Sequence, residues 1–304
     1  MNVQPELSRR VTDVYGEAGR AWLASLGDVL AEAAGRWGLR LEEPFEALTY
    51  NYVCPAWRED GSEAVLKAGV PCAELAAEAA TLSWWDGAGA ARLLEADTER
   101  GLLLLERLMP GRMLLDVADD DEATRIAAGV MRRLQRSAPK DHAFPHVRDW
   151  LKGFERLRAR FEDGAGPFPR DLVEMAEQTS TELLASQTDD DVLLHGDLHH
   201  WNVLAAEREP WLAIDPKGVV GEPAYETAAW LRNPVGMLLN RDRPGAILAR
   251  RVSILSDELG FDRERIRKWG AVHAVLSAWW TYEGHGHPGE EALEVARLLT
   301  TIDD

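Results

Sequence analysis

Along the first 37 residues, apolar side chains recur at three- and four-residue steps. Val11, Val14, Ala18, Trp22, Leu26, Val29, Leu30, Ala33 and Trp37 form one stripe, with charges on the other positions. This period predicts a helix from Ser8 to Trp37, broken once near Gly16 or Gly27. Between Phe45 and Val70 the pattern turns extended, with runs Leu48-Thr-Tyr-Asn-Tyr-Val-Cys54 and Ala64-Val-Leu-Lys-Ala68 on either side of Arg58-Glu-Asp-Gly61. An Asp-Gly pair between two such runs is a hairpin signal. Pro71 then opens a helical stretch from Cys72 to Trp85, which carries Glu74 and Glu78 one turn apart. Two short strands follow, Ala91 to Leu94 and Leu102 to Leu105, and Glu106-Arg-Leu-Met-Pro-Gly111 reads as a connector.

Beyond Gly111 the period is helical in six stretches: Asp120 to Arg136, His146 to Phe161, Arg170 to Gln187, Pro244 to Gly260, Arg263 to Tyr282 and Gly289 to Thr301. The exception lies between Asp191 and Asp215, where the short apolar runs Val192-Leu-Leu194 and Trp211-Leu-Ala-Ile214 flank a dense polar loop. Strand-flanked loops on a rigid scaffold are where catalytic side chains concentrate. A mixed sheet region followed by a helical one predicts an α+β protein in two parts. The first covers residues 1–108, with a helical extension over about 1–40, and the second covers 109–304.

Composition narrows the class. The 304 residues carry 52 acidic against 34 basic side chains, a formal charge of −18, which argues against nucleic-acid binding. At 46% hydrophobic the chain can bury a sizeable core. Two cysteines, Cys54 and Cys72, are too few for a disulfide framework and are expected to be small buried hydrophobes. No signal peptide or membrane span is readable, so a cytoplasmic protein without a membrane partner is expected, as a monomer or a dimer.

The loop itself carries the chemistry. It reads His195-Gly-Asp197-Leu-His-His-Trp-Asn202, and Asp215 ends the next apolar run. Phosphoryl transfer from ATP needs a carboxylate beside the attacking hydroxyl, a hard oxygen ligand for magnesium, and a second carboxylate between magnesium and the phosphates. Asp197, Asn202 and Asp215 supply these in order. Clustered histidine and aspartate could instead cap the loop or bind a transition metal, but neither reading predicts the spacing to Asn202 and Asp215. The arrangement follows the kinase catalytic-loop pattern except at Gly196, where protein kinases carry Arg, the residue that answers an activation-loop phosphate. Upstream, Lys67 within Ala64-Val-Leu-Lys67 resembles the kinase strand lysine that contacts the α- and β-phosphates. Its acidic partner is Glu74 or Glu78; Glu78 is preferred because it sits in the core-like run Ala76 to Ala80.

These residues, with Val203 to Pro216, Gly221-Glu-Pro-Ala-Tyr-Glu226, Gly89-Ala-Ala-Arg-Leu-Leu94 and Leu103-Leu-Leu-Glu-Arg-Leu108, resemble the aminoglycoside phosphotransferase superfamily. Within it the likeness is to the streptomycin 6-phosphotransferase and hydroxyurea phosphotransferase family. The resemblance implies a two-lobed protein-kinase-like fold and transfer of the γ-phosphoryl of ATP to a hydroxyl of an aminoglycoside such as streptomycin, an antibiotic-resistance activity. It further implies Asp197 as catalytic base, Asn202 and Asp215 as magnesium ligands, Lys67 as phosphate contact, and Glu106 to Leu108 as the adenine-binding hinge.

The chain departs from the kinase pattern in three ways. There is no Gly-x-Gly-x-x-Gly near Thr49-Tyr-Asn51, so Asn51, Tyr52 or a shorter loop must cover the phosphates. Asp215-Pro216-Lys217 stands in place of Asp-Phe-Gly. Trp201 sits before Asn202, where related sequences often carry a carboxylate. Trp201, Glu222 and Glu226 are candidate contacts to a small, polar, cationic acceptor, although Glu226 also suits the first turn of a helix. Trp279, Trp280 and Tyr282 suit core packing better than a sugar-binding wall, and Glu283, His285 and His287 only loosely resemble a metal site. Two other functions use the same sequence. One is an amino-sugar kinase such as a glucosamine kinase, which differs only in its acceptor pocket. The other is a nucleotide-binding pseudokinase, disfavoured by the joint presence of Lys67, Asp197, Asn202 and Asp215.

Overall fold

A computed structural model describes residues 4–46 and 48–302. The chain divides into two units, the first ending at Gly111 and the second starting at Arg112.

In the first unit, α1 (Pro5–Trp37) buries Leu7, Val11, Gly19, Trp22, Leu26, Leu30 and Ala33 on one face. Its break falls at Gly16, whose φ of 57° and ψ of −124° are open to glycine and costly to other residues. Gly38 ends the helix in the left-handed conformation, returning its N–H to Ala34 O. Four further strands join β1 (Leu39–Leu41) in one sheet: β2 (Tyr52–Arg58), β3 (Glu63–Ala68), β4 (Leu93–Asp97) and β5 (Leu102–Glu106). The sheet is antiparallel with order β1-β2-β3-β5-β4. Tyr52, Cys54, Ala64, Leu66, Ala68, Leu102 and Leu104 alternate along their strands onto the face that packs with α1. Lys67 points to the opposite face, in register with Val53 and Leu103, where it meets the helix α2 (Ala73–Trp85).

The β2–β3 turn is set by Asp60, which accepts from the Ser62 N–H at 2.8 Å, and by Gly61 with φ of 81°. Because both strands grow from that turn, β2 runs to Arg58 and carries Pro55 opposite Val65, later than the apolar run alone predicts. Pro55 has no N–H to give, but its carbonyl accepts from Glu42 N. Cys54 is fully buried, whereas Cys72 is only partly buried, at the start of α2, which corrects the expectation for that residue.

The strand β6 (Pro110–Met113) carries the chain into the second unit, where α3 (Asp120–Leu134), the short strand β7 (Arg136–Ser137), α4 (Val147–Arg160) and α5 (Arg170–Ala185) follow. The loop region contributes β8 (Val192–Leu194), β9 (Val203–Ala206), β10 (Trp211–Ala213) and β11 (Val219–Gly221). Here β9 and β10 form a hairpin, and β8 is flanked by β11 and β7. The chain ends in α6 (Thr227–Arg232), α7 (Val235–Leu239), α8 (Pro244–Leu259), α9 (Arg263–His285) and α10 (Glu290–Thr301). The central helix is α9, buried almost continuously from Trp269 to Trp279 and packed by α4, α5, α6, α8 and α10. Trp279 lies against Phe161, Phe168 and Tyr282, and Trp280 meets Trp150 edge-on at 5.5 Å, so this aromatic group is core. None of the described helices is long and apolar enough to cross a membrane.

Candidate active site

The loop from His195 to Asn202 leaves β8, and Asp215 follows β10, so two short strands bring both ends of the motif together. His195 is the tie. Fully buried, it contacts Ile214 O through Nε2 at 2.8 Å and accepts the Asp197 N–H on Nδ1 at 3.2 Å. An accepting Nδ1 requires the proton on Nε2, which then donates to Ile214 O. Burial pushes this imidazole down to about 4, outweighing the Ile214 bond, so the neutral tautomer persists. His195 O in turn accepts the Lys217 N–H at 2.8 Å.

Gly196 has φ of 79°, and a Cβ there would stand 2.7 Å from Trp150 Cη2 and 2.8 Å from Val219 Cγ1. The position is closed to arginine on packing grounds alone. Asp197 faces His199 Nε2 at 3.5 Å and Arg232 Nη2 at 3.8 Å. Burial would raise its carboxyl, but His199, Arg232 and Lys217 outweigh burial and hold it well below the usual carboxylate range. It is therefore an anion at every working pH.

Asn202 donates from Nδ2 to Asp197 O at 3.1 Å, which leaves Oδ1 as the atom the loop offers to a hard cation. Its backbone O accepts the Ile214 N–H, locking the loop to the strand before Asp215. Asp215 adopts a left-handed φ of 60°. Among the described residues no three His, Cys, Asp or Glu side chains converge as metal ligands. One amide oxygen and one carboxylate fit magnesium, which keeps waters and phosphate oxygens in its shell, better than a transition metal. His200 is stacked on Trp230 at 3.7 Å inside the core, and Glu283 pairs with Arg156, so neither histidine group forms a metal centre.

Trp201 is 38% exposed and packs edge-on against His199 at 5.4 Å. Glu222 and Glu226 are the corrections. Each is at most 3% exposed, which does not fit direct contact with an acceptor. Glu222 is held by Arg265 Nη2 at 2.6 Å and Trp269 Nε1 at 3.1 Å. Glu226 accepts the backbone N–H groups of His195 at 2.6 Å and Gly196 at 3.1 Å, anchoring the catalytic loop from below. Its place at the start of α6 had suggested a helix-dipole role, but its carboxylate turns to the loop. Burial, opposed by those two bonds, pushes this carboxyl up to about 7.

In the first unit, Lys67 Nζ donates to both carboxylate oxygens of Glu78, at 2.8 and 2.6 Å, with both side chains buried. Glu74 lies on the exposed side of α2. Glu106 ends β5, its carboxylate accepting the Arg92 N–H at 3.0 Å, and Leu108 is buried two residues on. Tyr52 is 5% exposed within the α1 core, which removes it as a phosphate cover. Arg232 was not singled out from the sequence. Its only signal there is a charge that ends the apolar run Ala228 to Leu231.

Residues 41–284 match the family described as aminoglycoside/hydroxyurea antibiotic resistance kinase. Streptomycin 6-kinase of Streptomyces glaucescens is 33% identical over 302 residues, covering 98% of this chain and 95% of that one. Hydroxyurea phosphotransferase of Kitasatospora aureofaciens is 37% identical over 294 residues, covering 93% and 82%. An aminoglycoside phosphotransferase from Streptomyces rimosus, solved with ADP and streptomycin, superposes with a TM-score of 0.57 at 20% identity, over 83% of this chain and 97% of that one, and shares the fold. The loop geometry, the kinase-like α+β fold and these relatives agree, and the chain belongs to the aminoglycoside/hydroxyurea antibiotic resistance kinase family.

Proposed function

We propose that this protein transfers the γ-phosphoryl group of ATP to a hydroxyl of a streptomycin-type aminoglycoside and so inactivates the antibiotic. The observation that carries the reading is the single hydrogen-bonded constellation of Asp197, Asn202 and the strand leading to Asp215, tied by His195. Relatives named for streptomycin phosphorylation support the acceptor class. A protein with −18 formal charge suits a cationic acceptor and repels nucleic acid. Its two cysteines are unpaired, in keeping with work in the cytoplasm.

In the first unit, which we assign to nucleotide binding, Lys67 is the phosphate contact, and the Glu78 carboxylate fixes its ammonium. Glu106 to Leu108 form the adenine-binding segment. In the second unit, which we assign to catalysis and acceptor binding, Asn202 Oδ1 and Asp215 would hold magnesium, which when bound supplies charge neutralisation on the phosphates. Asp197 accepts a hydrogen bond from the acceptor hydroxyl and aims it in line. Because its carboxyl is held so acidic, it orients the hydroxyl first and takes the proton late, as a loose transition state allows. Trp201 offers an exposed apolar edge beside it.

The test is ADP release with ATP, magnesium and either streptomycin, hydroxyurea or glucosamine, with products identified by mass spectrometry. Acceptor-dependent ADP release yielding streptomycin phosphate is expected. Turnover confined to glucosamine would replace this reading with an amino-sugar kinase, and no turnover with intact ATP binding would point to a pseudokinase.

A further inference from the structure

Arg232 ends α6 with its side chain mostly buried, yet it serves the fold poorly. Its Nε has no hydrogen-bond acceptor among the described residues, and the Tyr225 hydroxyl and His273 Nδ1, buried within reach of its charge, are unmet as well. Donors buried without partners cost free energy, and taking a guanidinium out of water costs more. Burial pushes this one down from the ordinary arginine range, opposed first by Asp197. A buried charge so poorly satisfied belongs more often to a site than to a scaffold.

Its one ion-pair partner among the described residues is the Asp197 carboxylate. Asp197 Oδ1 lies 3.8 Å from Arg232 Nη2, and Oδ2 lies 3.5 Å from His199 Nε2. The arginine distance is longer than a hydrogen bond, so the guanidinium orients Oδ1 by charge and leaves its lone pairs to another donor. Tyr225, edge-on to Trp269 at 5.1 Å and to His273 at 5.7 Å, backs the pair with a buried aromatic wall, where charge acts through a low dielectric. The backbone is fixed too. Arg251, buried and paired with Asp120 at 2.5 Å, donates to Trp230 O at 3.1 Å and to Asn233 O at 2.6 Å, the carbonyls that bracket Arg232. His200 of the catalytic loop stacks on Trp230 at 3.7 Å, which packs the loop against the same helix end.

We propose that Arg232 is a positioning residue of phosphoryl transfer, one that fixes the orientation of the Asp197 carboxylate from the core side of the loop while Oδ1 stays open to the acceptor hydroxyl. The inference rests on the reading of Asp197 as the group that receives that hydroxyl, and it adds the element that holds the group in place. Lys217 acts on the same carboxylate from the segment after Asp215, so part of the positive charge persists when Arg232 is removed. Loss of Arg232 therefore spoils the aim of Asp197 without abolishing its charge.

The test is a double-mutant cycle on the single-turnover rate of the full chain with saturating ATP, magnesium and streptomycin. Arg232→Met is expected to slow transfer about ten- to a hundredfold while the Kd for ATP stays within about twofold. In the Asp197→Asn background the same change should have no more than about a twofold effect, because a residue that acts through the carboxylate has nothing left to hold. Arg232→Lys, which keeps the charge without the planar fork, should recover part of the rate, and it closes the same cycle if the methionine variant fails to fold. Equal losses in both backgrounds, or a wild-type rate in Arg232→Met, overturn the inference. A wild-type rate in Asp197→Asn, or no transfer by the wild type, overturns the reading of the site itself and the inference with it.

Discussion

At Asp197 burial acts against the His199 contact and the charges of Arg232 and Lys217 on one carboxyl, and those partners win. An anion held so firmly cannot set the acid limb of a pH profile near neutrality. We expect Asp197→Asn to lower kcat by about a hundred- to ten-thousand-fold while the Kd for ATP stays within about twofold, as read by single-turnover kinetics and calorimetry. Lys67 and Glu78 are a different case, since both ends of the pair are buried. Removing one partner strands a charge, so Lys67→Met should cost about 3–5 kcal/mol of stability. The double change Lys67→Met/Glu78→Leu should recover much of that in chemical denaturation while activity stays lost, which separates the ion pair's structural cost from the role proposed for it at the phosphates.

The catalytic loop is an element whose shape depends on residues far along the chain. Glu226 receives the His195 and Gly196 amides, and its folded value of about 7 lies above the ordinary 4.5. The stability linked to this raised carboxyl is fully present below about 4.5 and is lost as pH rises through about 7, on the order of 3 kcal/mol in all. Activity moves the other way, because the ionised carboxylate is the better double acceptor. A kcat that falls on acidification with an apparent value near 7 is expected, and Glu226→Gln should flatten that limb in a pH–rate profile. Gly196→Ala tests the loop by shape: a side chain at φ of 79° against Trp150 should cost about 1–3 kcal/mol and most of the activity, measured by denaturation and turnover.

Much of this element was legible beforehand. The spacing of Asp197, Asn202 and Asp215 lies in one continuous stretch, and the helix periods of α3, α4, α5, α8 and α10 came through because each buries one face, whereas α9, buried almost continuously, was legible from its long apolar run. Glu226, Arg232 and Arg265 were misread or passed over because their partners lie 31, 35 and 43 residues away. The short strands β7, β9 and β11 have too few residues to show a period, and exist because β8 and β10 pair with them.

For the molecule as a whole, charge is the property that reaches beyond the site. With −18 distributed over 304 residues, a cationic acceptor is drawn in from a distance, and salt screens that attraction. The kcat/KM for streptomycin should therefore fall on the order of tenfold between about 0.01 and 1 M ionic strength, with kcat at saturation little changed. The same field opposes ATP, so on the proposed reading the burden of nucleotide binding falls on Lys67 and on a magnesium ion held by Asn202 and Asp215. The account's central claim is that one loop carries out phosphoryl transfer to an aminoglycoside hydroxyl. The most direct test compares wild type with Asp197→Asn in a single turnover with ATP, magnesium and streptomycin, following streptomycin phosphate by mass spectrometry. The account predicts rapid product formation by the wild type and a loss of at least about a hundredfold in the variant at equal ATP occupancy. Equal rates in the two proteins, or phosphate released only to water, would contradict it.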